Sequence, residues 1–203
     1  LHDALPICMK AVEYDTKIQI QQEYGAIYED DFWKKQYDGK HGYEILADNT
    51  VEELKYIHAV YDLAKEQGDV TDSSYEALEK RWKDENAERS EKVEKGEVIY
   101  GLKEYTFQLY LDYEISTLKE KYCNDTNREG MKLTEDEVQE HYQSREWIFG
   151  DSDENADLEM ARIAVERELR EQKYDDMITQ RETGSQVVGN MENVNRLTLK
   201  NIQ

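Results

Sequence analysis

Asp151, Asp153, Asn155 and Asp157 stand at alternate positions, the spacing at which a calcium loop offers its oxygen ligands. The rest of that loop does not suit the ion. Ala156 occupies the place where a glycine is needed for the sharp turn, and Arg162 the place of the bidentate glutamate. What remains reads as an acidic connector whose carboxylates favour the N-terminus of the helix that follows. Glu137 and His141 lie four apart on one helix face and read as a surface ion pair. A di-iron bundle needs Glu-x-x-His on two helices, but the residues three before His58 and His141 are Lys55 and Val138. No dinucleotide or P-loop glycine pattern, nucleophile elbow or HExxH motif occurs. Cys8 and Cys123 stand far apart without a CxxC, and Cys123 reads as buried packing. These residue types point to no catalytic residue, no metal ligand and no cofactor site.

The aromatic residues are more informative. Fifteen tyrosines and three tryptophans accompany only three phenylalanines. Tyrosine has an apolar face and a wet tip, which suits both a thin core and an adaptable contact surface. Most of these rings are expected to pack helix against helix. Tyr105, Tyr110 and Tyr113 spread around one helix and cannot all face one neighbour. They are the candidate contacts for a client polypeptide that is extended and partly apolar.

The elements that must carry these rings are helical. The chain has 203 residues, with 47 acidic against 26 basic, for a net charge of −21. Such a surface repels nucleic acid and anionic lipid. No run approaches the ~18–20 apolar residues of a membrane span. One proline and ten glycines are few, and two cysteines make no disulfide framework. The opening Leu1-His2-Asp3-Ala4-Leu5-Pro6-Ile7 reads either as translated sequencing adapter or as a frayed terminus. On the first reading residues 1–8 are non-native and the native sequence begins near Cys8 or Met9.

Periodicity and capping signals place six helices. The first spans residues 9–24, with Ala11, Tyr14 and Ile18 on one face. A connector over 29–42 holds one short turn around Phe32 and Trp33. The second helix, 50–67, opens on a Thr50-x-x-Glu53 capping box and carries Val51, Leu54, Ile57, Tyr61 and Ala64. The third begins at Ser73 or Ser74, with a Ser73-x-x-Glu76 capping box, turns Tyr75, Leu78 and Trp82 to a neighbour, and is solvated beyond Trp82. Residues 97–100 form a short extended element. The fourth, 103–122, is apolar around most of its circumference and is expected to be central. The fifth, to about residue 145, opens on a Thr134-x-x-Glu137 box with Val138 and Tyr142 inward. The sixth, 156–182, carries Leu158, Ala161, Val165 and Leu169. At ~1.5 Å per residue it is long enough to span two lobes. The polar tail, 184–203, is expected to be a weak strand or disordered.

Ser74-Tyr75-Glu76-Ala77-Leu78, Glu85-Asn86-Ala87-Glu88-Arg89, Lys95-Gly96-Glu97-Val98-Ile99-Tyr100-Gly101 and the Tyr-rich helix follow one another in an order that resembles the helical chaperone region of SurA/PrsA-type extracytoplasmic foldases, a peptidyl-prolyl isomerase family. Leu133-Thr134-Glu135-Asp136-Glu137-Val138 with Tyr142 resembles the helix leading into that family's parvulin domain. The sixth helix, with Tyr174 and Ile178, resembles the one returning from it. The likeness covers residues 9–183 and implies an all-α, multi-helix chaperone domain with a long C-terminal helix. It also implies an extracytoplasmic location and unfolded or partly folded polypeptide clients. The parvulin domain is missing: only residues 148–155 join the two helices, against the ~50 residues a domain needs. The resemblance therefore carries the chaperone role and not the isomerase activity. Membrane attachment is expected only through a lipid anchor upstream of the sequence given, and Cys8 is not assigned that role. Two other readings stand beside it: a structural or adaptor protein with one constitutive partner, and an isomerase with a degenerate site.

Overall fold

The computed structural model describes residues 5–150, 154–184 and 190–202. Among them are seven α-helices: α1 (Leu5–Tyr24), α2 (Gly42–Glu66), α3 (Tyr75–Glu94), α4 (Phe107–Asn124), α5 (Glu135–Gln143), α6 (Leu158–Gly184) and α7 (Met191–Asn201). A 3-10 turn (Phe32–Lys34) and a two-stranded hairpin, β1 (Gln36–Tyr37) and β2 (Lys40–His41), lie between α1 and α2. The all-α expectation holds. The described residues divide into two compact units, one running to Tyr113 and resuming at Glu182, the other Glu114–Arg181.

The first unit is organised by α2. This helix packs against α1, α7, the 3-10 turn and the hairpin. It begins eight residues earlier than the Thr50 box implied. His41 stands at its N-cap, and the Glu44 carboxylate accepts the His41 N–H at 2.7 Å. That bond holds the Glu44 carboxyl below its ordinary range. Thr50 lies inside the helix, fully buried, and donates its hydroxyl to the Leu46 carbonyl at 2.6 Å. Gly42 is required at the entry, because a Cβ there would meet the Trp33 Cα at 3.0 Å and the Phe32 carbonyl at 3.1 Å. The hairpin turns on Asp38 and Gly39, both at positive φ, as a tight two-residue turn demands. Leu46 of α2, Met9 and Ile20 of α1, and Phe32, Trp33 and Tyr37 of the connector form one core cluster. The Tyr37 hydroxyl donates to the Phe32 carbonyl at 2.9 Å, so the ring is buried without stranding its polar tip.

Two other expectations change in this unit. The buried face of α1 carries Leu5, Cys8, Met9, Thr16 and Ile20 rather than Ala11, Tyr14 and Ile18, and Tyr14 is exposed. Thr16 is buried because the Asn49 amide donates to its hydroxyl at 2.9 Å. Pro6 falls in the first turn of α1, where its missing N–H removes no helical bond. Residues 191–201 of the tail are neither strand nor disordered. They form α7, capped by Asn190 accepting from the Glu192 N–H at 2.9 Å, with Val194 and Leu197 against Leu5, Cys8 and Leu54. Val187 and Val188, also expected in a strand, lie outside the described residues.

Helix α3 starts at the Ser74 cap, whose hydroxyl accepts the Ala77 N–H at 3.2 Å. Its solvated half is laced by Glu79–Lys83, Lys80–Asp84, Glu85–Arg89, Glu88–Lys92 and Glu91–Lys95 pairs, as i,i+4 spacing allows. Residues 97–100 pair with no strand among the described residues. Helix α4 begins at Phe107 and is not central: Leu109 and Tyr113 remain exposed, and α2 takes that role.

In the second unit, Val138 of α5, Trp147, and Ala161 and Val165 of α6 form the core, with Tyr142 and Leu158 packed against it. The Thr134 capping box forms as expected, with the Glu137 N–H donating to the Thr134 hydroxyl at 3.3 Å. Glu137 does not pair with His141. Its carboxylate accepts from Lys173 of α6 and from the Thr134 N–H at 2.8 Å, while His141 faces Glu168 at 3.4 Å. The cap occupies Glu137 before His141 can reach it. Asp157 accepts the Met160 N–H at 2.9 Å and Asn155 accepts the Trp147 N–H at 2.5 Å, so both serve as local caps. Asp151 and Asp153 lie outside the described residues.

Leu46→Ala is expected to cost about 2–5 kcal/mol, a buried-leucine cavity, and Ser74→Ala about 1 kcal/mol, a lost cap; urea unfolding measures both. The Glu137 carboxyl is pulled down to about 2, first by Lys173 and then by Thr134. A depressed carboxyl stabilises above its unfolded value of about 4.5 and loses that contribution as pH falls toward 2. The stability difference between wild type and Glu137→Gln should therefore be full at pH 7 and vanish near pH 2. A constant difference across thermal melts would contradict this account of the pair.

Candidate client-binding surface

The three tyrosines singled out from the sequence come together. Tyr105 precedes α4, and Tyr110 and Tyr113 lie on it. Their rings form one knot rather than spreading around the helix: Tyr105 stacks on Tyr113 at 5.2 Å between centroids, and Tyr110 meets both at about 6 Å. The chain breaks from helix before Phe107, which turns the Tyr105 ring back along α4. Tyr110 is buried and Tyr113 is 42% exposed, so Tyr113 is the member of the knot most open to a client.

What positions the knot was not read from the sequence. Trp82, Asn86 and Arg89 lie on one face of α3 at i, i+4 and i+7. The Trp82 indole N–H and the Asn86 amide both donate to the Tyr105 carbonyl, at 2.7 and 2.9 Å. The Tyr105 N–H donates back to the Asn86 side-chain oxygen at 2.8 Å. Asn86 thus supplies both the donor and the acceptor that a neighbouring strand would give. Arg89 donates to the Tyr100 and Leu102 carbonyls at 3.1 and 2.8 Å, and its guanidinium lies 4.6 Å from the centre of the Tyr105 ring. The helical spacing of 82, 86 and 89 was the available signal. Polar side chains on that face mask it, because periodicity is ordinarily read from apolar residues alone.

With its backbone held this way, the segment before α4 turns its side chains outward. Val98 is 78% and Tyr100 87% exposed, and Leu102 is also open. Gly101, at positive φ, makes the bend between them. A second apolar feature of the same unit is a cleft of about 380 Å³ between α1, α2, α3 and the start of α4. Leu54, Ile57, Tyr61, Leu78, Phe107 and Leu111 line it, with His58 and Glu76 among its polar members. In the second unit Ile148, Phe149, Met160 and Ile163 are exposed together at the connector and the first turns of α6.

Glu53 is half-buried on α2, and burial, reinforced by Asp112 and Glu182, raises its carboxyl above the ordinary range. Among the described residues no group of three or more His, Cys, Asp or Glu is arranged to hold a metal ion. Burial pushes the Cys8 thiol up to about 12 and the Cys123 thiol up to about 11, and both are free. Neither is poised as a nucleophile. What the surface offers is adhesion: exposed aromatic and aliphatic side chains and an apolar cleft on a strongly acidic body.

No helix among the described residues is long and apolar enough to cross a membrane. No family model matches the chain, and no solved structure matches it. A curated protein does: 173 residues, 85% of this chain, are 31% identical to a protein from Bifidobacterium longum subsp. longum named as a chaperone for lacto-N-biosidase. The chain spans 62% of that relative's length. Over most of its sequence, then, this chain is chaperone-like.

Proposed function

We propose that this protein is a chaperone that binds a client polypeptide without nucleotide or metal. The observation that carries the reading is the 31% identity, over 85% of the chain, to a protein named for chaperoning a glycosidase. By the same likeness its client is a glycoside hydrolase of the lacto-N-biosidase kind; binding it while unfolded or partly folded is what the SurA/PrsA resemblance adds to the proposal. The resemblance to the SurA/PrsA helical region supports an extracytoplasmic site of action. The link between α5 and α6 is residues 144–157, longer than the expected 148–155 but still too short to hold a parvulin domain, and it supports a role without prolyl isomerisation.

The physics is burial. Client side chains that cover the exposed aliphatic and aromatic groups gain ~25 cal/mol per Å² of apolar surface. The surrounding acidic surface repels other copies of the chaperone and keeps the complex dispersed.

Co-expression with a lacto-N-biosidase tests the reading. The soluble, active yield of the enzyme should rise several-fold when the chain is present in the same compartment. Unchanged yield would overturn it, and so would recovery of the chain in a permanent complex with one mature partner, which is the behaviour of an adaptor. Acceleration of proline isomerisation in a tetrapeptide would overturn the absence of isomerase activity. Within the chaperone reading, Val98→Ser with Tyr100→Ser should cut the rescued yield at least threefold. Its melting temperature should move little, since both side chains lie in solvent.

A further inference from the structure

The seat of α7 and the apolar cleft are parts of one strip. Val194 and Leu197 of α7 pack on the cluster of Leu5, Cys8 and Leu54, and Ile57 packs on the same cluster. Cys8, Leu54 and Ile57 also line the cleft, which continues past α7 to Tyr61, Leu78, Phe107 and Leu111. An amphipathic helix of this chain therefore covers one end of the strip while the other end stands uncovered.

Helix α7 is poorly matched to its place. It has eleven residues, too few to be stable alone in water. Its Thr198 is fully buried, yet the hydroxyl has no hydrogen-bond partner, and the Asn195 side-chain oxygen is also buried and unpaired. An unpaired buried polar group opposes the burial that seats the helix. By contrast Thr16 and Thr50, buried elsewhere in the same unit, are both hydrogen-bonded. Among the described residues of this unit the Gln108 side-chain oxygen of α4 is also buried and unpaired, so α7 carries two of the three such groups.

We propose that the strip is the docking site for an amphipathic helix of the client, and that α7 is an exchangeable occupant which the client helix displaces. The occupant is inferred from α7 itself: Met191, Val194 and Leu197 three apart, a polar outer face, and a seat continuous with the open cleft. A client helix with a longer apolar stripe covers both the α7 seat and the cleft, which α7 cannot do. This inference rests on the chaperone reading and adds where, and in what conformation, the client binds.

The experiment uses a dye-labelled peptide of residues 190–203, added to the full chain and followed by fluorescence anisotropy. The peptide should bind wild type by exchanging with the internal helix. Thr198→Val in the full chain removes the unpaired hydroxyl at nearly constant shape, strengthens the internal seat and should weaken peptide binding by about fivefold or more. Leu197→Asp in the full chain frees the seat and should tighten peptide binding by about tenfold. The Thr198→Val chain folds at least as well as wild type, so its result stands if the Leu197→Asp chain unfolds. Equal binding to wild type and Thr198→Val, or none to either, overturns exchange. In the lacto-N-biosidase assay, performed by refolding the enzyme with purified chain, excess peptide should abolish the rescue. Rescue indifferent to the peptide overturns the docking site alone. Absence of any rescue overturns the chaperone reading, and this inference with it.

Discussion

The packing of α1, α7 and the connector in the first unit depends on burying α2. It is the one helix of this acidic chain with apolar residues enough to serve several neighbours at once, and α1, α7, the 3-10 turn and the hairpin are all arranged on it. A 25-residue helix spans about 37 Å, more than any single neighbour covers. Its first half is closed over by the Phe32, Trp33 and Tyr37 cluster, and the middle is shared by α1 and α7. Leu54 and Ile57 also line the open cleft. The cleft is thus walled by side chains of the same core that seats α1 and α7.

The chain has few aliphatic residues, and polar side chains replace part of their work. Asn86 and Trp82 hold the backbone before α4, Asn49 satisfies Thr16, and Asn155 satisfies the Trp147 N–H. In the second unit Arg170 donates to the Met131 carbonyl at 3.1 Å. Each such bond is directional, so it fixes a loop in one geometry where a thin apolar contact would let it slide. The outcome is loops whose geometry is set by hydrogen bonds, while Val98, Tyr100 and Leu102 stand open to solvent.

Much of this was legible in the sequence. The Thr134 cap, the turn at Phe32 and the all-helical class follow from local rules, because those features are decided within four residues; the Ser73 box does not form, Ser74 being the cap, and the half of α3 expected to be solvated docks Asn86 and Arg89 on the segment before α4. Three kinds of feature escaped. His41 caps α2 although His is not a favoured cap residue, so the search settled on Thr50, which is interior. Thr16 and Cys8 belong to the buried face of α1, which a reading confined to aliphatic and aromatic residues rotates onto Tyr14. Helix α7 is polar and short, and only its contact with α1 and α2 makes it a helix at all. The candidate site was half visible: the tyrosines were identified, but their gathering into one knot depends on Asn86 and Arg89, which bind backbone nineteen and eleven to thirteen residues away.

The two free thiols carry a consequence for handling unfolded proteins. Disulfide exchange requires a thiolate, and a thiol with a pKa of about 11 or 12 is ionised at neutral pH in roughly one molecule in ten thousand or fewer. Both sulfurs are also buried. A client that arrives with its own cysteines unpaired finds no partner here for a mixed disulfide. In the chaperone role proposed above, such a chain would be held by contact alone, its redox state left to other agents.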